Sequence, residues 1–235
     1  MKRLIFCAIA SVLSAWGVWA QISPGAYKAV EMHGDTTRNH LLLVSDNYII
    51  HTTYDSQPAH FISTMGGFYE IGEDSLRVDL EFNTDYEKTG EKVHRVSYGY
   101  ADGNLIFNEN HARPYRREPD LDQPLDGAWL FATRGPDTGQ ERRGDNSARK
   151  TLKFLNNGYF QWVAYNSETM DFMGSGGGRY AADQGIYTEQ IQFFSRDDSR
   201  VGAELEFSFE RKGDDWHHTG KNSRGEPMYE IWSIR

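Results

Sequence analysis

The sequence predicts an all-β protein: two tandem up-and-down antiparallel β-barrels of about eight strands each. Short segments rich in aromatic and β-branched residues recur along the chain, bounded by Gly, Asn, Asp or Pro. No segment keeps the period of an amphipathic helix. And one passage is written twice: "FISTMGGFYEIGEDSLRVDLEFNT" from Phe61 and "FMGSGGGRYAADQGIYTEQIQFFS" from Phe172 align without a gap.

The first element is "MKRLIFCAIASVLSAWGVWAQ". Lys2 and Arg3 precede an apolar run, and Val18-Trp19-Ala20 offers small residues for cleavage before Gln21, so residues 1–20 read as a secretory signal peptide. The run is too short for a membrane span. The only cysteine, Cys7, lies inside it, so the processed chain has no disulfide and no thiolate metal site. The expected location is the periplasm or the exterior of the cell.

Eight candidate strands follow: "AYKAV", "HLLLVSD", "NYIIHTTY", "HFISTMGGFYEI", "SLRVDLEF", "VHRVSYGY", "NLIFNE" and "ARPYRR". At Gly127 the series restarts with eight more: "GAWLFATR", "ARKTLKFL", "GYFQWVAY", "MDFMGSGGGRYAA", "IYTEQIQFF", "GAELEFSF", "DWHHTG" and "YEIWSIR". The copies are offset by roughly 110 residues, far more than a solenoid repeat, so each should be a domain of its own. Leu41 matches Leu152, Tyr48 matches Tyr159, Tyr54 matches Tyr165, and Gly66-Gly67 match Gly177-Gly178; Tyr69, Leu80 and Phe82 match Tyr180, Ile191 and Phe193. The linker is "REPDLDQPLDG", placing the first barrel at 21–119 and the second at 125–235.

Alternation shows how each unit closes. Leu76, Val78, Leu80 and Phe82 oppose Arg77, Asp79 and Glu81; Leu205, Phe207 and Phe209 oppose Glu204, Glu206 and Glu210. An apolar interior with a wet exterior suits a water-facing barrel, which also removes exposed strand edges. Glycines inside the long strand suit a bend or, alternatively, a site wall. The net charge of −9 makes nucleic acid and anionic membranes poor partners, and membrane insertion of the processed chain is not expected.

Gly127-x-Trp129 on a first strand, eight strands and a closing Trp232-x-x-Arg235 resemble the lipocalin and calycin superfamily. "GGGRY" followed by "YTEQIQF" is similar to the small secreted lipocalin-like domains of bacteria, many of unknown function. The resemblance implies an eight-stranded barrel that often holds one small apolar ligand. The first half departs from it, with Tyr27 in place of the Trp and no closing Trp.

By parity, the interior of the second barrel should carry Phe160, Trp162, Ala164, Tyr187, Ile191, Phe193, Leu205, Phe207 and Trp216. Such rings either line a pocket for a small hydrophobic ligand or fill the barrel. Glu189 should sit among them where the first copy has Val78, as a handle for a ligand or in a structural pair with an Arg, such as Arg179, or a Tyr hydroxyl. Trp162, Tyr187, Glu189, Phe160, Phe193, Phe207 and Trp216 are therefore the candidate ligand-binding residues, and the loop "GPDTGQERRGDNSAR" is a solvated insertion or a lid at the mouth. His217 and His218 are adjacent and should point to opposite faces, so they cannot easily share a metal. No catalytic motif, metal-ligand spacing or cofactor loop stands out. Two functions remain: a non-enzymatic carrier of a small hydrophobic ligand, and a protein- or glycan-interacting scaffold with filled barrels.

Overall fold

The computed structural model describes residues 21–72, 75–108, 113–222 and 224–235; the expected signal segment lies outside them. Two closed antiparallel barrels are present, each running up and down in chain order. The first comprises β1 (Gly25–His33), β2 (Thr36–Val44), β3 (Tyr48–Ser56), β4 (Ala59–Ile71), β5 (Ser75–Asn83), β6 (Val93–Ala101), β7 (Asn104–Phe107) and β8 (Pro114–Arg117), with a short helix α1 (Tyr86–Thr89) after β5. The second comprises β9 (Gly127–Arg134), β10 (Arg149–Asn156), β11 (Tyr159–Asn166), β12 (Phe172–Asp183), β13 (Ile186–Phe194), β14 (Glu204–Lys212), β15 (Asp215–Lys221) and β16 (Pro227–Ile234). Pairing of β1 with β8 and of β16 with β9 closes the two walls. The expected fold class is thus observed.

Both barrels are plugged at the same end. Ile22 is buried in the first core and Leu125 in the second. The Tyr27 hydroxyl donates to the Ser23 carbonyl at 2.7 Å, and the Trp129 indole N–H donates to the Leu125 carbonyl at 2.8 Å. Tyr27 and Trp129 are the two answering residues of the repeat, so this role survives the exchange of ring.

The glycine pair marks a β-bulge in each copy, between Gly66 and Gly67 and between Gly177 and Gly178. A Cβ on Gly177 would lie 2.5 Å from the Phe160 carbonyl oxygen and 2.5 Å from the Phe193 ring; one on Gly66 would lie 2.7 Å from Phe82. Gly177 and Gly66 thus make room for a ring lying across the strand, while the bulge inserts one extra residue, Gln192 or Glu81, into the neighbouring strand. An inserted residue reverses the parity beyond it. Phe82 and Phe193, expected inside, therefore face out.

These outward rings meet each other. Tyr48, Tyr54, Phe82, Tyr159, Tyr165 and Phe193 belong to one buried cluster drawn from both barrels. The contacts come in symmetric pairs: Phe82 packs on Tyr165 at 5.1 Å between centroids, and Tyr54 packs on Phe193 at 5.0 Å. Phe61 stacks on its own counterpart Phe172 at 6.0 Å with planes 1° apart. Such reciprocal contact is the mark of a two-fold interface, here within one chain. Leu41, Tyr48, Tyr54, Phe61 and Phe82 lie on this face together with their counterparts Leu152, Tyr159, Tyr165, Phe172 and Phe193.

Polar groups complete the joint. Gln161, wholly buried, accepts from Thr52 at 2.7 Å and donates to Thr64 and Ser175 at 3.0 Å each. Glu81 accepts from the hydroxyls of Tyr48 and Tyr165, both at 2.8 Å, and from the Arg235 guanidinium at 2.7 and 2.8 Å. Burial opposes its ionised form, but Arg235 and the two tyrosines outweigh that and hold its pKa down at about 2.

Candidate functional site

The two interiors differ, and the difference follows from side-chain size at matching ladder positions. In the second barrel Tyr187 faces Phe207 across the β13–β14 ladder, and Trp216 faces Trp232 across β15–β16. The corresponding pairs of the first barrel are Leu76 with Val96 and Leu105 with Tyr115. Trp162 corresponds to His51, and the Lys153–Glu189 pair to Leu42 and Val78.

The second interior is packed with rings. Trp129, Phe160, Tyr187 and Trp216 are almost wholly buried, with Trp216 5.7 Å from Trp129 and 5.1 Å from Tyr187. Glu189 lies among them, and its structural partners are Lys153, donating at 2.7 Å, and the Tyr187 hydroxyl, donating at 2.9 Å. The ammonium of Lys153 is 4.9 Å from the Tyr187 ring centre and 5.1 Å from that of Trp216, so rings stabilise the cation as well. Arg179 is not the partner of Glu189: it points outward onto the Tyr159 ring at 3.8 Å and toward Glu118. His218 is 2% exposed, its ring 4.4 Å from that of Phe207, and neither nitrogen has a hydrogen-bond partner. Burial, reinforced by the charge of Lys153, holds its pKa well below the ordinary value. His217 points the other way, toward the Tyr229 hydroxyl at 2.7 Å.

Of the sequence-predicted residues, Phe160, Tyr187, Phe207 and Trp216 belong to this core, Trp162 packs at its margin against Phe194, and Glu189 is paired within it. Phe193 belongs to the joint between barrels. Leu205, expected inside, is 37% exposed and lines an open groove in the wall of the second barrel with Arg179, Glu189 and Glu206. The long loop is tied to the barrel wall: Arg142 bonds Asp137, Asp215 and Ser233 at 3.0, 2.5 and 2.8 Å, and Gln140 donates to the Arg134 carbonyl at 2.7 Å.

A cavity of about 230 Å³ lies instead in the first barrel. Its apolar wall includes Leu42, Ile49, Leu76, Val78, Leu80 and Val96. Its polar groups gather at the end away from the Ile22 plug, where His51, Thr64, Asn83, Thr84, Asp85 and His94 stand. His51 accepts or donates at 3.0 Å with the Tyr115 hydroxyl and stacks on His40 with ring centres 5.8 Å apart. His40 is held by Glu31 at 3.1 Å and Thr53 at 3.2 Å; burial lowers its pKa, with Glu31 pulling the other way. His94 bonds Glu91 at 2.9 Å.

Sequence reasoning passed over this site because it followed the rings. The signal was present in the opposite sense: small side chains at matched positions leave space. No group of three or more metal-ligating side chains comes together among the described residues, and no helix among them is long and apolar enough to cross a membrane. A tandem pair of closed barrels, one packed and one hollow, is what fold and cavity define. No protein-family model matches the chain, and no curated protein matches it.

Proposed function

We propose that this chain is an exported, non-enzymatic binding protein whose first barrel holds a small hydrophobic molecule, while the second serves as its packed scaffold. One observation carries the reading: the first interior has an apolar cavity with hydrogen-bonding groups at one end, which is how small-molecule sites are generally built. The volume is below the roughly 300–1,000 Å³ of sites for drug-sized ligands, so the ligand is small. Export rests on the segment from Lys2 to Ala20, and N-terminal sequencing of the processed protein should begin at Gln21. The lipocalin-like resemblance agrees with the reading.

Calorimetric titration with short alkyl compounds tests binding. Wild type should saturate at one site. Val96→Phe, which copies Phe207 of the packed barrel, should abolish binding and leave the melting temperature unchanged or raised. Absence of saturable binding in wild type, or equal binding by Val96→Phe, would overturn the proposal.

A further inference from the structure

We infer that the first-barrel cavity selects an uncharged aliphatic molecule of about nine non-hydrogen atoms with one hydrogen-bonding head, such as a medium-chain alcohol or ketone, and discriminates against the matching carboxylate. The inference rests on the carrier reading above and names its ligand class.

Size comes first. An apolar cavity of about 150 Å³ accommodates benzene, so about 230 Å³ corresponds to half as many atoms again. The shape of the wall follows from its residues: Leu42, Ile49, Leu76, Val78 and Val96 are aliphatic. The head must then lie where the polar groups are, near His51, Asn83 and His94.

Charge decides the class. No lysine or arginine is among the described residues that line the cavity, whereas Asp85 is. Lys88 pairs with Asp85 at 2.7 Å, Arg113 with Glu31 at 3.5 Å, and Arg38 with Asp55 at 3.0 Å. A carboxylate entering this end would lose water and find no lysine or arginine among the described lining residues. An ammonium would find Asp85 already engaged. A hydroxyl or carbonyl loses less on entry and meets the amide of Asn83 and the hydroxyls of Ser63, Thr64 and Thr84. The second barrel supplies the contrast, since it places Lys153 where the cavity has Leu42; there a carboxylate, Glu189, is indeed held.

The test is titration of the full processed chain at pH 7 with 1-octanol, 2-octanone, octanoate, octylammonium and octane. The alcohol and ketone should bind at least about tenfold tighter than either ion and tighter than octane. Asn83→Leu should narrow the gap between octanol and octane. Octanoate or octylammonium binding as tightly as octanol would overturn the class while leaving the cavity a site. Octane binding as well as octanol would overturn recognition of the head. Failure of all five to bind would overturn the carrier reading and this inference together.

Discussion

Lys153 and Glu189 are each about 6% exposed and face each other inside the second barrel. Removing one charge strands the other, so Glu189→Gln should cost about 3–5 kcal/mol in chemical denaturation. Replacing both by the residues of the first barrel, Lys153→Leu with Glu189→Val, should cost less, because no charge is stranded and only the Tyr187 hydroxyl loses its acceptor. His218 gives a pH signature. Its folded pKa lies well below the ordinary 6.5, so the stability it contributes is present above pH 6.5 and lost as pH falls toward the folded value. His40 is shifted in the same direction. His218→Phe should therefore flatten, without abolishing, the fall in stability below pH 6.5, as measured by urea unfolding at several pH values.

At the scale of the strand, the glycine pair decides what each face of β5 and β13 does. Gly177→Ala would place a methyl against both a backbone carbonyl and the Phe193 ring. It should destabilise by about 1–3 kcal/mol or more, whereas Gly144→Ala, with nothing within 4 Å, should be neutral; thermal denaturation distinguishes them. The same pair limited what could be read from sequence. Strand positions and the repeat were legible because turn residues and alternation are local signals. The facing of Phe82 and Phe193 was not, because a bulge changes parity without changing composition. Nor was the joint between barrels: Tyr48, Tyr54 and Tyr165 are apolar enough for an interior, and a two-fold contact between distant segments leaves no mark in either one alone. The partner of Glu189 was half legible, the tyrosine hydroxyl being foreseen and Lys153 not.

For the molecule as a whole, the joint makes the two barrels one thermodynamic partnership. Residues 21–119 and 125–235 produced separately would each expose a face of tyrosines and phenylalanines from the shared cluster. Each half alone should self-associate, and an equimolar mixture should form a one-to-one complex in analytical ultracentrifugation; two monomeric, non-interacting halves would refute this. The Glu81 cluster should govern acid sensitivity of the joint. Its carboxyl is held at about 2 against an ordinary 4.5, so its stabilisation is present above pH 4.5 and disappears as pH falls through about 2. The amount is on the order of 3 kcal/mol, and Glu81→Gln should remove that dependence.

Strand β3 carries both halves of this design. Ile49 and His51 line the cavity, while Tyr48, Ile50, Thr52 and Tyr54, alternating with them, are gripped by the second barrel. A guest that tried to widen the first barrel would have to push this wall into an already close-packed neighbour. The bore is therefore calibrated from outside, like a sleeve seated in a block. Chain length in a series of alcohols should meet a sharp ceiling there, where a free-standing barrel would stretch by degrees.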